Sequence, residues 1–214
     1  MPAEGQVDNQ ALMHALHKDL LAKKLKWLAN TRVSSIRSHQ IITENETLEF
    51  DMVFDCRGLG ANTFDNLQAV RGELIWLHAP DVNLNRPVRL MHPRYHLYVA
   101  PRPDNIFIVG ASEIYADDYS EISVKTTLEL LTALYYLHPS FAEARILKTA
   151  THCRPALADH LPKIKCTQDC IAINGLYRHG YLIAPTIVDE IVQWMESGRR
   201  NFPELWCFSR RVLC

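Results

Sequence analysis

The sequence predicts a mixed α and β fold, in which a largely antiparallel sheet is flanked by helices. Between residues 72 and 110, apolar-rich segments follow one another with no room for a helix, and this close spacing is typical of antiparallel strands. Leucines recur at helical spacing over residues 8–28 and again after Ser123. A short apolar run at residues 170–174 leads through a glycine-bracketed loop, residues 175–180, into a third amphipathic segment.

The residues at the ends of each helical segment predict where the helices begin and end. Asp8 precedes the first apolar repeat and Ser123 precedes the second, and both residue types are favoured N-caps. Pro139 ends the second helix. In the third helix, Pro185 is predicted at the first helical position and Gly198 just after the last turn, because proline and glycine favour those two sites.

Strands are predicted where short runs of β-branched and aromatic residues stand between turn residues. They cover residues 31–36, 40–43, 47–56, 72–78, 87–91, 95–100, 105–110, 145–153 and 170–174. At Gln68 the pattern changes from one helix with short strands to closely spaced strands. This change predicts two domains, one formed by residues 1–65 and 150–214 and the other by residues 66–149.

The composition excludes several classes of protein. With a formal charge of −1, the chain has no electrostatic attraction to nucleic acid or to an anionic membrane. No stretch approaches the roughly 20 apolar residues of a membrane helix, and no secretory signal is visible, so we expect a cytoplasmic protein. The six cysteines are scattered, which favours free thiols. Cys166 and Cys170, with His152 and His160, match no usual zinc spacing, so no metal site is expected.

Two segments suit a ligand site, although each is also consistent with ordinary surface structure. In the loop of residues 175–180, glycines let the backbone approach a flat ligand, and the helix start that follows favours negative charge. Arg154 ends an apolar strand before Pro155, where a guanidinium presents a fixed two-pronged donor to a carboxylate. The alternatives are a plain strand–loop–helix connection with surface Arg178 and His179, and a solvated arginine before a turn.

Two further patterns bear on a ligand site. Tyr98 lies on the first strand of a predicted hairpin, where a tyrosine is either a core or edge residue or a substrate contact. Gly58 and Gly60 follow a strand as in a dinucleotide-binding fingerprint, but Thr63 stands where the third glycine belongs. No helical pattern follows these glycines, so no independent dinucleotide site is predicted there.

Seven short stretches occur in one order along the chain. They are Gly5-Gln6-Val7-Asp8, Phe54-Asp55-Cys56-Arg57-Gly58, Val70-Arg71-Gly72-Glu73, Tyr98-Val99-Ala100-Pro101-Arg102, Gly110-Ala111-Ser112-Glu113, Arg154-Pro155, and Gly175-Leu176-Tyr177-Arg178-His179-Gly180-Tyr181-Leu182-Ile183-Ala184-Pro185. Together they resemble glycine oxidase and its relatives in the D-amino-acid oxidase family of FAD-dependent enzymes. The resemblance covers roughly residues 5–205.

The resemblance implies FAD as the cofactor and a small amino acid or amine as the substrate. Val33 would contact the adenosine side of FAD through its backbone. Arg154 would bind the substrate carboxylate, with Arg178 and Tyr98 as further substrate contacts. The implied reaction is hydride transfer to the flavin without a catalytic side chain, giving an imine and hydrogen peroxide, and some relatives serve thiamine biosynthesis. The residues that would line the isoalloxazine ring are Leu176, Tyr177, Arg178, His179, Gly180, Tyr181 and Leu182.

The chain departs from the family pattern at its start, where the first βαβ unit with its glycine-rich loop is absent. We therefore expect this chain alone to bind FAD weakly or not at all, unless a partner chain supplies that segment. By the resemblance, residues 1–65 and 150–214 are the remaining part of the FAD-binding domain, and residues 66–149 form the substrate-binding domain. A homo-oligomer is one further arrangement that the sequence allows. The alternative function is a non-catalytic subunit or remnant that keeps the substrate-domain fold.

Overall fold

The structure is a computed structural model that describes residues 5–61, 63–91, 96–167 and 169–208. The chain divides into two compact units. The first unit comprises Met1–His17 and Val70–Cys153, and the second unit comprises Lys18–Ala69 and Arg154–Cys214. The assignment of cofactor and substrate domains to residues 1–65 with 150–214 and to residues 66–149 stays a prediction.

Helices and strands are both present, which confirms the predicted mixed fold. The helices are α1 (Asn9–Ala22), α2 (Val124–Leu137) and α3 (Gly180–Ser197). None of the helices within the described ranges is long and apolar enough to cross a bilayer. The strands are β1 (Val33–Arg37), β2 (Gln40–Thr43), β3 (Thr47–Glu49), β4 (Val53–Asp55), β5 (Gln68–His78), β6 (Val88–Met91), β7 (His96–Arg102), β8 (Ile106–Gly110), β9 (Ile114–Tyr115), β10 (Arg145–Ala156), β11 (Lys163–Cys166), β12 (Cys170–Asn174) and β13 (Trp206–Phe208).

The first unit is built on a sheet with the strand order β10-β5-β8-β7-β6, and β9 pairs with the beginning of β5. Neighbouring strands from β5 to β6 run antiparallel, as predicted, and Val109 lies opposite both Ile75 and Val99. Helix α2 packs on one face of this sheet. The buried core between them is formed by Ile75, Leu77, Ala79, Val82, Leu97, Val99, Phe107, Val109, Leu130, Ala133, Leu134 and Phe141.

A buried ion pair anchors the start of α2 to β5. Arg71 Nη2 lies 2.7 Å from Glu73 Oε1, and Arg71 Nη1 also donates to the carbonyl of Asp118 at 2.8 Å. The backbone N–H of Ser123 donates to the same Glu73 oxygen at 3.0 Å. The Ser123 hydroxyl in turn accepts from the N–H of Thr126, which confirms Ser123 as the N-cap of α2.

The second unit contains two sheets. Strands β1, β2 and β3 form an antiparallel meander. The other sheet has the order β13-β11-β12-β4, in which β11 and β12 are antiparallel while β13 and β4 each pair in parallel with a neighbour. Helix α3 packs on this sheet through a core of Ile164, Cys166, Ile171, Ile187, Ile191 and Trp206.

Two predicted elements differ in extent from the sequence pattern: α1 is shorter, and one predicted strand is divided into two. Helix α1 stops at Ala22, because Lys24 takes a positive φ of 60° and its N–H bonds to the carbonyl of Leu21. The predicted strand at residues 47–56 is two strands, β3 and β4, because a bend at Asp51 leads the chain from one sheet into the other. The predicted strand at residues 95–100 begins with Tyr95, which lies outside the described residues.

The prediction that Pro185 begins the last helix is wrong. Helix α3 begins at Gly180, and Pro185 lies inside it. The residues predicted as a loop form a 3-10 turn, Tyr177–His179, that leads directly into the helix. Proline lacks the N–H that would bond to the carbonyl of Tyr181, and packing of α3 on the sheet outweighs this loss. Gly198 follows the last turn as predicted, with a φ of 69°.

Glu190 on α3 ties the following segment of the chain to this helix. Its side chain is 1% exposed and accepts from the N–H groups of Asn201 at 3.1 Å and Phe202 at 3.2 Å. It also accepts from Trp206 Nε1 at 2.8 Å. Burial raises the pKa of Glu190, but the Trp206 and backbone hydrogen bonds outweigh burial and hold this pKa below its usual value. The ionised carboxylate therefore holds β13 beside β11.

Replacing Glu190 with alanine leaves these three donors without their acceptor. We expect the free energy of unfolding, measured in urea, to fall by about 1–3 kcal/mol. Because the folded pKa is lowered, the stabilisation is present at neutral pH and is lost as the pH falls through that pKa. The exposed Glu196→Ala control should change stability by less than about 0.5 kcal/mol. Equal stability of the two variants at neutral pH would contradict the role of Glu190.

Candidate functional site

The carboxyl ends of β4 and β12 lie side by side in the second unit. The two strands are parallel, with Cys170 opposite Val53 and Ala172 opposite Asp55. Beyond β4 the chain forms a short 3-10 turn at Gly58–Gly60, and beyond β12 it turns at Gly175. In open sheets with parallel strands, ligands bind at the carboxyl ends of the strands.

Asn174 joins these two strand ends through its side chain. It is 2% exposed, its Nδ2 donates to the carbonyl of Gly58 at 2.8 Å, and its Oδ1 accepts from the N–H of Gly175 at 2.9 Å. Asn174 is not among the predicted site residues. The available signal was an asparagine at the end of an apolar run, directly before a glycine.

Gly175 has to be a glycine for two reasons. Its φ is +78°, and a Cβ added there would lie 2.8 Å from Leu157 Cδ1 and 3.2 Å from the carbonyl oxygen of Leu161. The turn at Gly175 is therefore pressed against the segment that follows β10. Next to it, the rings of His160 and Tyr177 are in contact, with their centroids 4.9 Å apart.

The same packing holds the predicted substrate anchor near the strand ends. Arg154 is half-buried near the end of β10, and Pro155 follows it. A Cβ added to Gly58 would lie 3.6 Å from Pro155 Cγ, so this proline contacts the turn after β4. Leu157, two residues further, contacts Gly175. The structure thus brings the Arg154 segment together with the stretch predicted to line a flavin.

That stretch, Leu176 to Leu182, is a 3-10 turn followed by the first residues of α3. His179 is the N-cap residue of α3, and no side chain caps the helix there, so the dipole of its first turn favours an anionic group. Tyr181 and Leu182 are 55% and 77% exposed. A helix start beside exposed apolar side chains fits the isoalloxazine end of a flavin, whose pyrimidine edge becomes anionic on reduction.

The basic residues of this stretch are also accessible. Arg178 and His179 are exposed, and the guanidinium of Arg178 lies 5.1 Å from the centre of the buried Tyr177 ring. Tyr177 has a positive φ of 48°, which turns the chain toward α3. Gly180 is half-buried at the first position of that helix.

Val33, the residue predicted to contact the adenosine side, begins the edge strand β1. Its carbonyl accepts from Arg57 Nη1 at 3.4 Å. Arg57 is itself paired with Asp55, which is 2% exposed and also accepts from the Thr63 hydroxyl at 3.3 Å. Burial raises the pKa of Asp55, but the Arg57 hydrogen bonds and charge, with Thr63, outweigh burial and lower it. Neither Asp55 nor Arg57 is among the predicted site residues.

Tyr98 belongs to the first unit, whereas Arg154 and Arg178 belong to the second. Its side chain is half-buried on β7, opposite Gly110 of β8. A Cβ added to Gly110 would lie 3.1 Å from Tyr98 Oη and 3.3 Å from Tyr98 Cζ. The phenol therefore lies across the backbone of β8, and the absence of a side chain at Gly110 makes room for it.

The cysteines form no disulfide within the described ranges. Cys56, Cys153, Cys166, Cys170 and Cys207 are free thiols. In the same part of the chain, no three His, Cys, Asp or Glu side chains are arranged to hold a metal ion.

Comparisons with known proteins identify the class of protein. The model of the family described as FAD dependent oxidoreductase, DAO, matches residues 1–194, and the chain belongs to this family. A putative thiamine biosynthesis oxidoreductase, ThiO, from Rhizobium etli is 42% identical over 147 residues, which are 68% of this chain and 45% of that protein. A bifunctional protein ThiO/ThiG from Synechocystis is 26% identical over 220 residues, covering 97% of this chain and 33% of that protein. The chain thus spans less than half the length of these curated relatives.

Solved structures share the fold. Glycine oxidase from Geobacillus kaustophilus matches with a TM-score of 0.73 at 22% identity, over 86% of this chain and 53% of that one. Iminodiacetate oxidase from Chelativorans matches with a TM-score of 0.79 at 17% identity, over 95% of this chain and 59% of that one. These matches confirm the predicted fold class.

Gly175→Ala should destabilise the second unit more than Gly198→Ala. Both glycines have a positive φ, so both substitutions carry a backbone strain of about 1–2 kcal/mol. Only at Gly175 does the added methyl group also meet a neighbour, since nothing lies within 4 Å of one at Gly198. We expect urea unfolding to show a loss about 1–3 kcal/mol larger for Gly175→Ala. Equal losses would mean that Leu157 moves away from the added methyl group without a cost in stability.

Proposed function

We propose that this chain is part of an FAD-dependent oxidase that acts on a small amino acid or amine and yields an imine and hydrogen peroxide. The observation that carries the proposal is the arrangement at the carboxyl ends of β4 and β12. There, Asn174 fixes the turn at Gly175, and the turn leads into the uncapped N-terminus of α3. The segment that carries Arg154 packs against the same turn through Leu157.

In this proposal the second unit contacts both ends of FAD. The 3-10 turn Tyr177–His179 and the start of α3 line the isoalloxazine ring, and the backbone of Val33 contacts the adenosine. FAD, when bound, supplies the acceptor for the hydride. The helix N-terminus stabilises negative charge on the ring edge without any proton transfer from a side chain. The full set of ring-lining residues is Leu176, Tyr177, Arg178, His179, Gly180, Tyr181 and Leu182.

The substrate is oriented by its carboxylate in this proposal. Arg154 offers two parallel N–H donors, and Pro155 restricts the backbone of Arg154, so the side chain leaves the chain in a defined direction. Arg178 is a further substrate contact in this proposal, and the substrate contact by Tyr98 of the first unit stays a prediction from the family resemblance. A substrate amine that binds in its neutral form needs no general base, so the contribution of the protein is orientation and electrostatics.

The names of the curated relatives support a place in thiamine biosynthesis. The Rhizobium etli relative is named a putative thiamine biosynthesis oxidoreductase, and the Synechocystis relative joins ThiO and ThiG in one chain. We propose that this chain serves the same process in the cytoplasm. Further contacts to the pyrophosphate and ribose of FAD come, in this proposal, from another segment or from a partner chain. A homo-oligomer is compatible with this arrangement.

FAD binding is the direct test of the cofactor assignment. We expect the 214 residues alone to bind FAD weakly, because ring contacts through backbone hydrogen bonds each contribute only about 0.5–1.5 kcal/mol. Immobilising a long cofactor opposes binding, and its pyrophosphate normally lies on a glycine-rich turn at a helix start. Flavin fluorescence titration measures the affinity, first for the chain alone and then after addition of the part of the Rhizobium etli relative that this chain does not match.

Tight, stoichiometric binding by the chain alone would contradict the expected weakness. A chain that stays colourless with FAD in both titrations would contradict the oxidase proposal and favour a non-catalytic subunit. Flavin binding with peroxide release from glycine or a similar substrate is the expected result in the complemented protein.

Arg154→Ala tests the substrate anchor in the complemented protein. Loss of a buried bidentate pair should raise KM for a carboxylate-bearing substrate by about 30-fold or more, equivalent to about 2 kcal/mol. Amines that lack a carboxylate should be oxidised with unchanged KM. Arg145→Ala, at the exposed beginning of the same strand, is the matched control. An equal loss for both substrate types would assign Arg154 to folding rather than to carboxylate binding.

A further inference from the structure

We propose that Arg57 is a positioning residue that fixes the backbone of Val33 and thereby selects a cofactor with an adenosine half. The inference rests on the proposed function, which places Val33 at the adenosine side of FAD. It adds a residue to the site that neither the sequence pattern nor the comparisons assign.

The guanidinium of Arg57 is held in one orientation. Its Nε and Nη2 donate to the two oxygens of Asp55, at 2.9 Å and 3.0 Å. The Arg57 backbone N–H donates to the same carboxylate at 3.2 Å. Asp55 is 2% exposed, whereas the side chain of Arg57 is 25% exposed. Because the guanidinium is planar, holding Nε and Nη2 in place also fixes the direction of the third nitrogen, Nη1.

The third nitrogen of the Arg57 guanidinium contacts the start of β1. Arg57 Nη1 donates to the carbonyl of Val33 at 3.4 Å. The pairing of β1 with β2 is irregular here, because Val33 lies opposite Thr43 while Ser35 lies opposite Ile42. Since β1 is an edge strand and its ladder is irregular at this end, the contact from Arg57 acts together with the pairing to Thr43 in holding Val33.

Fixing one carbonyl also fixes the neighbouring donor. In an extended residue the N–H and C=O groups point to the same side of the strand. Val33 therefore presents its N–H on the side that faces Arg57, and its carbonyl keeps a second lone pair. Adenine offers an acceptor and an amino donor on one edge, which matches such a donor–acceptor pair. Arg57 thus prepares a backbone contact for a purine.

The segment that carries Arg57 also contacts the turn at Gly175, which precedes the residues proposed to line the flavin. Gly58, the residue after Arg57, accepts from Asn174, and Asn174 fixes the turn at Gly175. The adenosine contact and the flavin-side turn are therefore both attached to the end of β4. A lysine at position 57 would carry the charge but could not hold Asp55 and Val33 together, since it lacks the planar fork.

A comparison of the affinities for FAD and FMN separates this role of Arg57 from a general structural role. FMN carries the same flavin ring and its phosphate but no adenosine. Arg57→Gln should weaken FAD binding about tenfold while changing FMN binding by less than about twofold, as expected for one charge-assisted hydrogen bond that serves only the adenosine half. Ligand-observed NMR with the 214-residue chain detects both affinities even where they are weak. Arg57→Lys should behave like Arg57→Gln.

The matched control is Arg37→Gln, at the exposed far end of β1, which should leave both affinities unchanged. Amide hydrogen exchange across the pairing of β1 with β2 reports the positioning without any cofactor, and it should become faster in Arg57→Gln and Arg57→Lys but not in Arg37→Gln. Selective loss of FAD with faster exchange supports the proposal.

Equal loss of FAD and FMN, or an unchanged affinity for FAD, would overturn the proposal while leaving the oxidase assignment intact. A wild-type chain that binds neither flavin, alone or complemented, would reject the proposed function and the adenosine role together. The exchange data would then still decide whether Arg57 orders the start of β1.

Discussion

The site in the second unit depends on one buried amide, the side chain of Asn174. Its two hydrogen bonds join the carbonyl of Gly58 to the N–H of Gly175, and so they connect the ends of two parallel strands. Without this amide, the buried N–H of Gly175 would lose its partner, while the carbonyl of Gly58 would keep its hydrogen bond from the N–H of Ala61. The 3-10 turn Tyr177–His179 and the beginning of α3 follow directly, so their positions depend on the same contact.

Features that depend on neighbours in sequence could be predicted, and features that depend on distant residues could not. The Ser123 cap, the Gly198 terminus and strand β12 follow from local residue types and were predicted correctly. The bond from Asn174 to Gly58 spans 116 residues, so no local pattern indicates it. Pro185 was misplaced because local preference favours a helix start, while packing of α3 on its sheet extends the helix before the proline. The family motifs single out the Arg154 segment and the stretch from Leu176 to Leu182, and the structure packs the first segment against Gly175, directly before the second; the roles of both stay predictions.

Buried carboxylates recur as anchors in both units. Asp55 pairs with Arg57 and Glu73 pairs with Arg71, each two residues away along a strand or its end, where side chains point to the same side. Burial raises the pKa of each carboxyl group, and hydrogen bonds with the arginine partner and nearby hydroxyls lower it by more. Since the desolvation of such pairs largely offsets their attraction, their main effect is to specify one arrangement of the chain.

The contact between Glu190 and the segment before β13 has a consequence for solubility. Strand β13 covers the outer edge of β11, and residues 199–205 are its only covalent connection to α3. After a cut within that connection, β13 would be held only by noncovalent contacts such as its pairing with β11 and the bond from Trp206 to Glu190. Loss of β13 would uncover the N–H and C=O groups along Lys163–Cys166, an open edge that pairs readily with strands of other molecules. Release of β13 would therefore be followed by aggregation of the chain, even though every residue of the proposed cofactor and substrate contacts would remain in place.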